Sequence, residues 1–142
     1  MQTVLFACTH NAGRSQMAAA WFQRLADPGK AQAISAGTEP AARVHPAVVA
    51  AMREVGIELE GVRPRLLTAE LARGASLLVT MGCGERCPHV PGLRRLDWEL
   101  EDPKDQPLAR VRAIRDRIRE LVCELLRAEG WGRPGPAEQP AR

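Results

Sequence analysis

Short apolar runs alternate along this chain with longer segments in which apolar residues recur every three or four positions. Each short run suits one buried strand, and each longer segment has the period of an amphipathic helix. Strands that alternate with helices form a parallel sheet covered on both faces. The alternation predicts an α/β fold of three layers, with a four-stranded parallel sheet between helices. The predicted strands cover residues 3–7, 32–37, 76–80 and 93–98, and the predicted helices cover residues 17–25, 48–55, 68–74 and 108–125.

Turn and capping residues mark the expected ends of the helices. A turn over residues 27–29 ends the first helix, and Thr68 and Gly74 bound the third. In the last helix, arginines interleave with acidic residues opposite the apolar face, which favours a solvated, ion-paired surface over a phosphate-binding helix. We expect a single domain over residues 1–130 and a flexible tail over residues 131–142, where glycine and proline prevent regular structure.

Composition narrows the class of protein. The chain has 142 residues, of which 45% are hydrophobic and 26% are charged, as in one globular domain. Its apolar runs are too short for a membrane span and no basic segment precedes the first strand, so we expect a cytoplasmic protein with no membrane partner. The net charge is only +3, and the chain has two Phe, three Trp and no Tyr. Because it has little excess positive charge and few aromatic rings to stack on bases, we expect no nucleic-acid partner. Four Cys are too few for a secreted disulfide scaffold and indicate thiol chemistry or metal binding.

Three loops are expected at one edge of the sheet. In parallel sheets, functional residues collect at the carboxyl ends of the strands. The loops after Ala7, Thr80 and Trp98 all leave the predicted sheet at that edge. Each of them carries residues with reactive side chains, so the functional site is predicted there.

The loop after the first strand has the pattern C-x5-R, from Cys8 to Arg14, and a helix follows it. Backbone N–H groups of such a loop can converge on one centre, with the helix N-terminus behind them, and Gly13 allows the tight path. Arg14 adds a planar fork that matches two oxygens of a tetrahedral anion. The same positive field favours a thiolate, so Cys8 is a candidate nucleophile. The candidate substrate-binding residues are Thr9, His10, Asn11, Ala12, Gly13, Arg14 and Ser15.

Three polar residues of this loop have separate expected roles. Ser15 donates a hydrogen bond to the thiolate, Asn11 holds the loop in shape, and His10 contributes its backbone N–H and no base. The loop is not a Walker loop, because no Gly-Lys-Ser/Thr follows. The alternative is that Cys8 is merely a small buried residue at a strand end, and its place between a strand and a helix favours the functional interpretation.

Two further cysteines, Cys83 and Cys87, follow the third strand. If their loop is locally helical, a spacing of four residues puts the two Cα atoms about 6 Å apart, within reach of a disulfide. A zinc site would add His89 and a fourth ligand such as Cys8, but the spacing lacks the usual C-x2-C pair, so no metal and no cofactor is expected. Two unrelated loop thiols are a further possibility. Thiol exchange fits best, because both cysteines share the sheet edge with Cys8.

Four segments of the chain carry a family resemblance: residues 8–18 (Cys-Thr-His-Asn-Ala-Gly-Arg-Ser-Gln-Met-Ala), 35–38, 46–57 and 98–103. They resemble the low-molecular-weight protein tyrosine phosphatase superfamily, and within it the arsenate reductase branch. The resemblance implies a four-stranded parallel sheet flanked by helices, in agreement with the alternation described above. It also implies that Asp102 is the general acid that protonates the leaving oxygen, with Asp97 and Glu101 as neighbouring alternatives.

The resemblance further implies that arsenate is reduced to arsenite by a relay of three thiols. Cys8 attacks the arsenate held in the loop, and Cys83 then attacks Cys8 and releases arsenite. Cys87 moves the disulfide to Cys83–Cys87, which an external reductant reopens. That partner is thioredoxin, glutaredoxin or a small thiol. Cys123, in the last helix, is expected to be an inert packed thiol.

Two other functions stay open at this point. A phosphomonoester hydrolase with Cys8 as nucleophile and Asp102 as acid would use the same loop for phosphate and would not need Cys83 or Cys87. Residues 104–106 are Lys, Asp and Gln, where tyrosine phosphatases of this class carry aromatic residues, and this weakens the expectation of tyrosine phosphatase activity. The third function is a noncatalytic oxyanion sensor, although a general acid adds nothing to binding alone.

Overall fold

Four parallel strands form the central sheet: β1 (Gln2–Cys8), β2 (Ala31–Gly37), β3 (Leu77–Thr80) and β4 (Arg94–Asp97). The computed structural model describes residues 1–82 and 90–133. The order across the sheet is β2-β1-β3-β4, so the first strand of the chain lies inside the sheet. This arrangement confirms the predicted α/β fold with a four-stranded parallel sheet.

Within the described residues, four helices pack on the sheet: α1 (Arg14–Leu25), α2 (Pro46–Arg53), α3 (Ala69–Arg73) and α4 (Leu108–Glu129). Successive side chains of β1 point to opposite faces. Val4 and Phe6 belong to the large core that α1, α2 and α4 complete, while Leu5 and Ala7 belong to a smaller core on the side of α3. Helices therefore cover both faces, as predicted. No helix in the described ranges is both long and apolar enough to cross a bilayer.

The helix ends differ from the periodicity by a few residues, for a physical reason. α1 begins at Arg14, three residues before the first apolar position of its pattern, because its first turn faces the loop at the sheet edge and not the core. Thr68 caps α3, with its hydroxyl accepting a hydrogen bond from the N–H of Leu71 at 3.1 Å. Gly74 ends this helix as expected.

The first half of α4 is an ion-paired surface, as its charge pattern predicts. Arg112 and Arg115 both bind Glu54, at 2.7 and 2.9 Å, and Arg117 binds Glu120 at 3.1 Å. Hydrogen bonds from Arg112, and then from Arg115, lower the pKa of Glu54 to about 2. The two contacts with Glu54 join α4 to the end of α2.

The predicted flexible tail needs a correction at its start, because Trp131 belongs to the core. Trp131 is only 9% exposed, and its ring packs edge-on against Phe22 with 6.2 Å between the ring centroids. Its carbonyl accepts a hydrogen bond from the N–H of Asp27 at 2.7 Å, and Gly132 forms a bridge with Ala26. Burial of the large indole ring of Trp131 stabilises the fold by more than the entropy cost of ordering the glycines on either side of it. The rest of the predicted tail, residues 134–142, lies outside the described residues.

Trp131→Ala should lower the free energy of unfolding by about 3 kcal/mol, because it removes a buried indole from the core. Urea unfolding of the two proteins, followed by far-UV circular dichroism, measures this difference. Leu66→Ala is the control, since Leu66 is 55% exposed and its truncation should change the free energy by less than about 0.5 kcal/mol. Equal unfolding midpoints for Trp131→Ala and the wild type would place residue 131 in a frayed tail.

Candidate active site

The loop identified by the sequence analysis lies at the carboxyl edge of the sheet. β1 ends at Cys8, residues 9–13 form the loop, and α1 begins at Arg14. Cys8 is 2% exposed and packs with the large core. The N-terminus of α1 follows directly, so its unpaired N–H groups add positive potential beside the thiol.

The peptide groups of this loop share one orientation. Six successive carbonyls, from Cys8 to Gly13, each accept a hydrogen bond from a group around the loop. In a trans peptide the N–H points away from the carbonyl, so the N–H groups of residues 9–14 are turned to the other side. Within residues 1–82 and 90–133, the N–H groups of residues 9–13 donate to no protein acceptor, which leaves them free to bind an anion. The donors to the six carbonyls, in order, are Thr38 N (3.2 Å), Glu39 N (2.8 Å), Ala41 N (3.0 Å), Gln16 Nε2 (3.1 Å), His45 N (2.9 Å) and Met17 N (3.0 Å).

Asn11 holds the loop in this shape. Its φ is +50°, a left-handed conformation that asparagine tolerates better than most residues. Its side chain is fully buried, and its Oδ1 accepts hydrogen bonds from the N–H of Arg65 at 3.0 Å and from Gln16 Nε2 at 3.1 Å. Asn11 therefore ties the loop both to α1 and to the segment before α3.

Ser15 lies beside the thiol, with its Oγ 2.9 Å from Cys8 Sγ. Asn11 Nδ2 donates a hydrogen bond to Ser15 Oγ at 2.7 Å. The hydroxyl of Ser15 is then left to donate its own hydrogen to the sulfur. A donor at this position complements the charge of a thiolate.

Arg14 crosses from the loop to the ends of the other strands. Its side chain is 10% exposed. Nη1 donates a hydrogen bond to the carbonyl of Leu100 at 3.2 Å, and Nη2 lies 3.6 Å from Asp102 Oδ2. The guanidinium is thus held at the mouth of the loop, between the segments that follow β3 and β4.

Two glycines let these segments come close to the loop. A Cβ on Gly82 would overlap with the Arg14 guanidinium, and a Cβ on Gly13 would lie 2.6 Å from Pro103 Cγ. The φ of Gly13 is −143°, which any residue can adopt. A glycine is needed at this position because Pro103 comes so close, and not because the backbone is left-handed. Gly82 does have a φ of +92°.

Of the three carboxylates proposed as the acid, Asp102 lies beside Arg14. Asp102 has a side chain 46% exposed, and its Oδ1 accepts a hydrogen bond from the N–H of Lys104 at 3.0 Å. Asp97 instead accepts hydrogen bonds from the hydroxyl of Thr80 and from Arg95. These two bonds lower the pKa of the Asp97 carboxyl group. Glu101 pairs with Arg110 at 3.5 Å. Only Asp102 combines solvent access with a position at the mouth of the loop.

Two histidines flank the loop. His10 Nδ1 lies 3.1 Å from the carbonyl of Glu39, so its ring is turned toward the segment after β2. His45 precedes α2, and burial lowers its pKa even though Asp102 acts in the opposite direction. The backbone N–H of His45 donates a hydrogen bond to the carbonyl of Ala12 at 2.9 Å, so His45 supports the loop.

Three residues of this site were not identified from the sequence. Gln16 binds the loop carbonyl and side chain of Asn11, Gly82 makes room for Arg14, and His45 fixes Ala12. A glycine shortly after a buried strand is a signal for Gly82. His45 acts through a contact with Ala12 that is distant in the chain, and Gln16 acts on Asn11, five residues before it, only because the loop is folded as it is.

The described residues include two of the four cysteines, Cys8 and Cys123. Cys83, Cys87 and the alternative zinc ligand His89 lie outside the described residues. Gly82, the residue before them, accepts a hydrogen bond from Thr9 Oγ1 at 3.3 Å, so Gly82 itself lies next to the loop of residues 9–13. Cys123 is half-buried in α4, away from this edge.

Comparison with protein families and known proteins agrees with this geometry. The family model described as "Low molecular weight phosphotyrosine protein phosphatase" matches residues 3–130. The "Glutaredoxin arsenate reductase" of Synechocystis sp. is 35% identical over 129 residues, which are 89% of this chain and 97% of that protein.

Solved structures show the same fold. A thioredoxin-dependent arsenate reductase of Corynebacterium glutamicum superposes with a TM-score of 0.78 at 38% identity, over 90% of this chain and 61% of that longer chain. An arginine phosphatase of Geobacillus stearothermophilus superposes with a TM-score of 0.80 at 27% identity, over 92% of this chain and 94% of that one. The likeness therefore includes both reductases and phosphatases.

Gly82→Ala should weaken phosphate binding by at least about tenfold, because the added Cβ displaces the Arg14 guanidinium. Gly92→Ala is the matched control, since its φ of +82° is close to the +92° of Gly82 but nothing lies within 4 Å of the added atom. Both variants should lose about 1 kcal/mol of stability to the left-handed backbone. Isothermal titration calorimetry and urea unfolding separate the two effects, and equal phosphate affinity in both variants would contradict the placement of Arg14.

Proposed function

Because the chain belongs to the low molecular weight phosphotyrosine protein phosphatase family, we propose that it is an arsenate reductase with Cys8 as its nucleophile. One observation carries the proposal: Cys8 lies at the base of a loop whose six carbonyls are all bound on the outside. The N–H groups on the other side suit a tetrahedral oxyanion, and arsenate has the shape and charge of phosphate. The names of the relatives support arsenate as the substrate.

In the proposed first step, the thiolate of Cys8 attacks the arsenic of bound arsenate. Arg14 and the loop N–H groups neutralise the oxygens, and Asp102 gives a proton to the oxygen that leaves as water. Ser15 keeps its hydroxyl on the sulfur until the attack. A covalent Cys8–arsenate adduct results, in which arsenic is still As(V).

In the proposed second step, the thiolate of Cys83 attacks the sulfur of Cys8. The electron pair of the sulfur–arsenic bond passes to arsenic, which leaves as arsenite, As(III), while a Cys8–Cys83 disulfide forms. Cys87 then attacks Cys83, so Cys8 returns as a thiolate and the disulfide becomes Cys83–Cys87. An external thiol donor then reduces the Cys83–Cys87 disulfide and so returns the one pair of electrons that arsenic has taken up. Thioredoxin or glutaredoxin is the proposed donor, because relatives are named for them.

A phosphomonoester hydrolase is the second candidate, and the likeness to an arginine phosphatase favours it. Water would then attack a phospho-Cys8 intermediate, with Asp102 first as acid and afterwards as base. The residues after Pro103 are Lys104, Asp105 and Gln106, so no aromatic ring follows the acid to hold an aryl group. We therefore propose phosphatase activity only as a side reaction of this site.

Arg14→Lys should lower kcat/KM for arsenate by about a hundredfold or more although it keeps the positive charge. A lysine ammonium cannot bind two oxygens in parallel and cannot reach both Leu100 and Asp102 as the guanidinium does. Arsenite release with a thiol reductant measures the rate. Arg65→Lys is the control, because only the backbone of Arg65 contacts the loop. Near-native kcat/KM in Arg14→Lys would show that the oxyanion binds elsewhere.

The two cysteine variants Cys83→Ser and Cys87→Ser separate the reductase from the phosphatase. Cys83→Ser should stop arsenate turnover after the first step, and Cys87→Ser should trap a Cys8–Cys83 disulfide that dithiothreitol reverses. Hydrolysis of a small aryl phosphate, which ends with water, should survive in both variants. Intact-mass spectrometry detects the disulfide, and arsenite and phosphate release measure the two rates.

The controls for this experiment are two other thiols. Cys8→Ser should abolish both reactions, because a hydroxyl is far harder to ionise than a thiol. Cys123→Ser should leave both unchanged. Wild-type arsenate reduction in both Cys83→Ser and Cys87→Ser would rule out the relay and leave a one-thiol enzyme served by an external thiol.

A further inference from the structure

A second cationic region lies at the amino edge of the sheet, opposite to Cys8. It is a cleft of about 760 Å³ between the ends of α1 and α4 and the segment after α4. None of the described residues that line it is acidic. Five of its lining residues are cationic: Arg24, Lys30, Arg119, Arg127 and Arg133.

The charge pattern of α4 changes where the helix reaches this cleft. In its first half, Arg112, Arg115 and Arg117 each bind a carboxylate within 3.1 Å. In its second half, Arg119 and Arg127 have no carboxylate partner among residues 1–82 and 90–133. The ion-paired surface predicted from the sequence therefore covers only part of this helix, and the remaining charge faces the cleft.

Neutral groups hold most of these cations in place. Arg24 Nη2 donates a hydrogen bond to the carbonyl of Gly56 at 2.7 Å, and Arg133 Nε donates to the carbonyl of Arg24 at 3.1 Å. Lys30 Nζ lies 3.4 Å from the carbonyl of Gly130. Carbonyls orient these side chains but do not cancel their charge. The cleft thus has positioned, uncompensated cations.

The floor of the cleft is apolar and its wall is fixed. Leu25, Leu126 and the half-buried Cys123 lie between the cations. The bridge between Ala26 and Gly132 holds the segment after α4 against the end of α1. A charged wall over an apolar floor makes each anion–guanidinium contact stronger than it would be on an open surface.

We propose that this cleft binds a compact polyanion, a short chain of phosphate groups of the triphosphate class. Guanidinium groups bind phosphate oxygens in pairs, and several of them around one cleft match several linked phosphates better than one isolated oxyanion. Among the described residues that line the cleft, none is aromatic, and the nearby Trp21 is 5% exposed and lies under Arg119, whose guanidinium is 5.5 Å from the ring centroid. The phosphate chain, and not a nucleobase, is therefore what the cleft recognises.

This site is separate from the oxyanion loop at Cys8. α1 carries Arg14 at its N-terminus, in the loop, and Arg24 in its last turn, in the cleft. Ten residues of α-helix separate them by about 15 Å. One phosphate chain of this length cannot occupy both, so the two anions bind independently of each other.

The test is isothermal titration calorimetry of the full chain with tripolyphosphate, in buffer that holds saturating orthophosphate to occupy the Cys8 loop. One site per chain is expected. Arg119→Gln and Arg127→Gln should each weaken it about tenfold. Arg117→Gln is the matched control on the same helix, because Arg117 is paired with Glu120 and does not line the cleft. Its affinity should stay within about twofold of the wild type.

Two further arms locate the site and its ligand. Bound tripolyphosphate should slow alkylation of Cys123 by iodoacetamide, read by peptide mass spectrometry, while Arg14→Lys should leave the tripolyphosphate affinity unchanged. A nucleoside triphosphate should bind as tightly as tripolyphosphate, and tighter binding would make a nucleotide the source of the phosphate chain. The proposal is overturned by no binding, by equal weakening in Arg117→Gln, or by loss of binding in Arg14→Lys.

Discussion

The orientation of six successive peptide groups is the constraint on which the candidate site depends. From Cys8 to Gly13 every carbonyl is bound by a partner around the loop, and these partners come from α1 and from the segment between β2 and α2. The N–H groups are therefore available on the opposite side without any further rearrangement. Such preorganised donors stabilise an oxyanion because their orientation has been set during folding and not at the moment of binding.

The same constraint explains the positions of Asn11 and Ser15. Asn11 adopts a left-handed backbone conformation. Its amide nitrogen donates a hydrogen bond to Ser15, and its amide oxygen accepts hydrogen bonds from Gln16 and from the N–H of Arg65. Ser15 then has one hydrogen left, and it lies 2.9 Å from the sulfur of Cys8. The chemistry of the thiol is thus supported by a chain of hydrogen bonds that begins outside the loop.

Helix α1 connects two regions of positive charge that differ in kind. At its N-terminus, backbone N–H groups and Arg14 form the site that we propose for a single tetrahedral oxyanion. At its C-terminus, Arg24 joins side chains from α4 and from the segment after it around an open cleft. Main-chain donors give a narrow site of fixed shape, whereas arginine and lysine side chains give a wider one. The two regions therefore suit different anions.

The sequence by itself determined the α/β class, the four parallel strands, the loop from Cys8 to Arg14 and its place at the carboxyl edge, since periodicity and local motifs encode these features. Only the tertiary structure decided which groups support the loop. His45 and Gly82 lie against Ala12 and Arg14, which are far from them in the chain, and Gln16 reaches Asn11 only in the folded shape of the loop. It also decided that Trp131 is buried, because that depends on the ring of Phe22 more than a hundred residues away. The unequal pairing of the arginines of α4 has the same origin, since a carboxylate partner such as Glu54 comes from another helix.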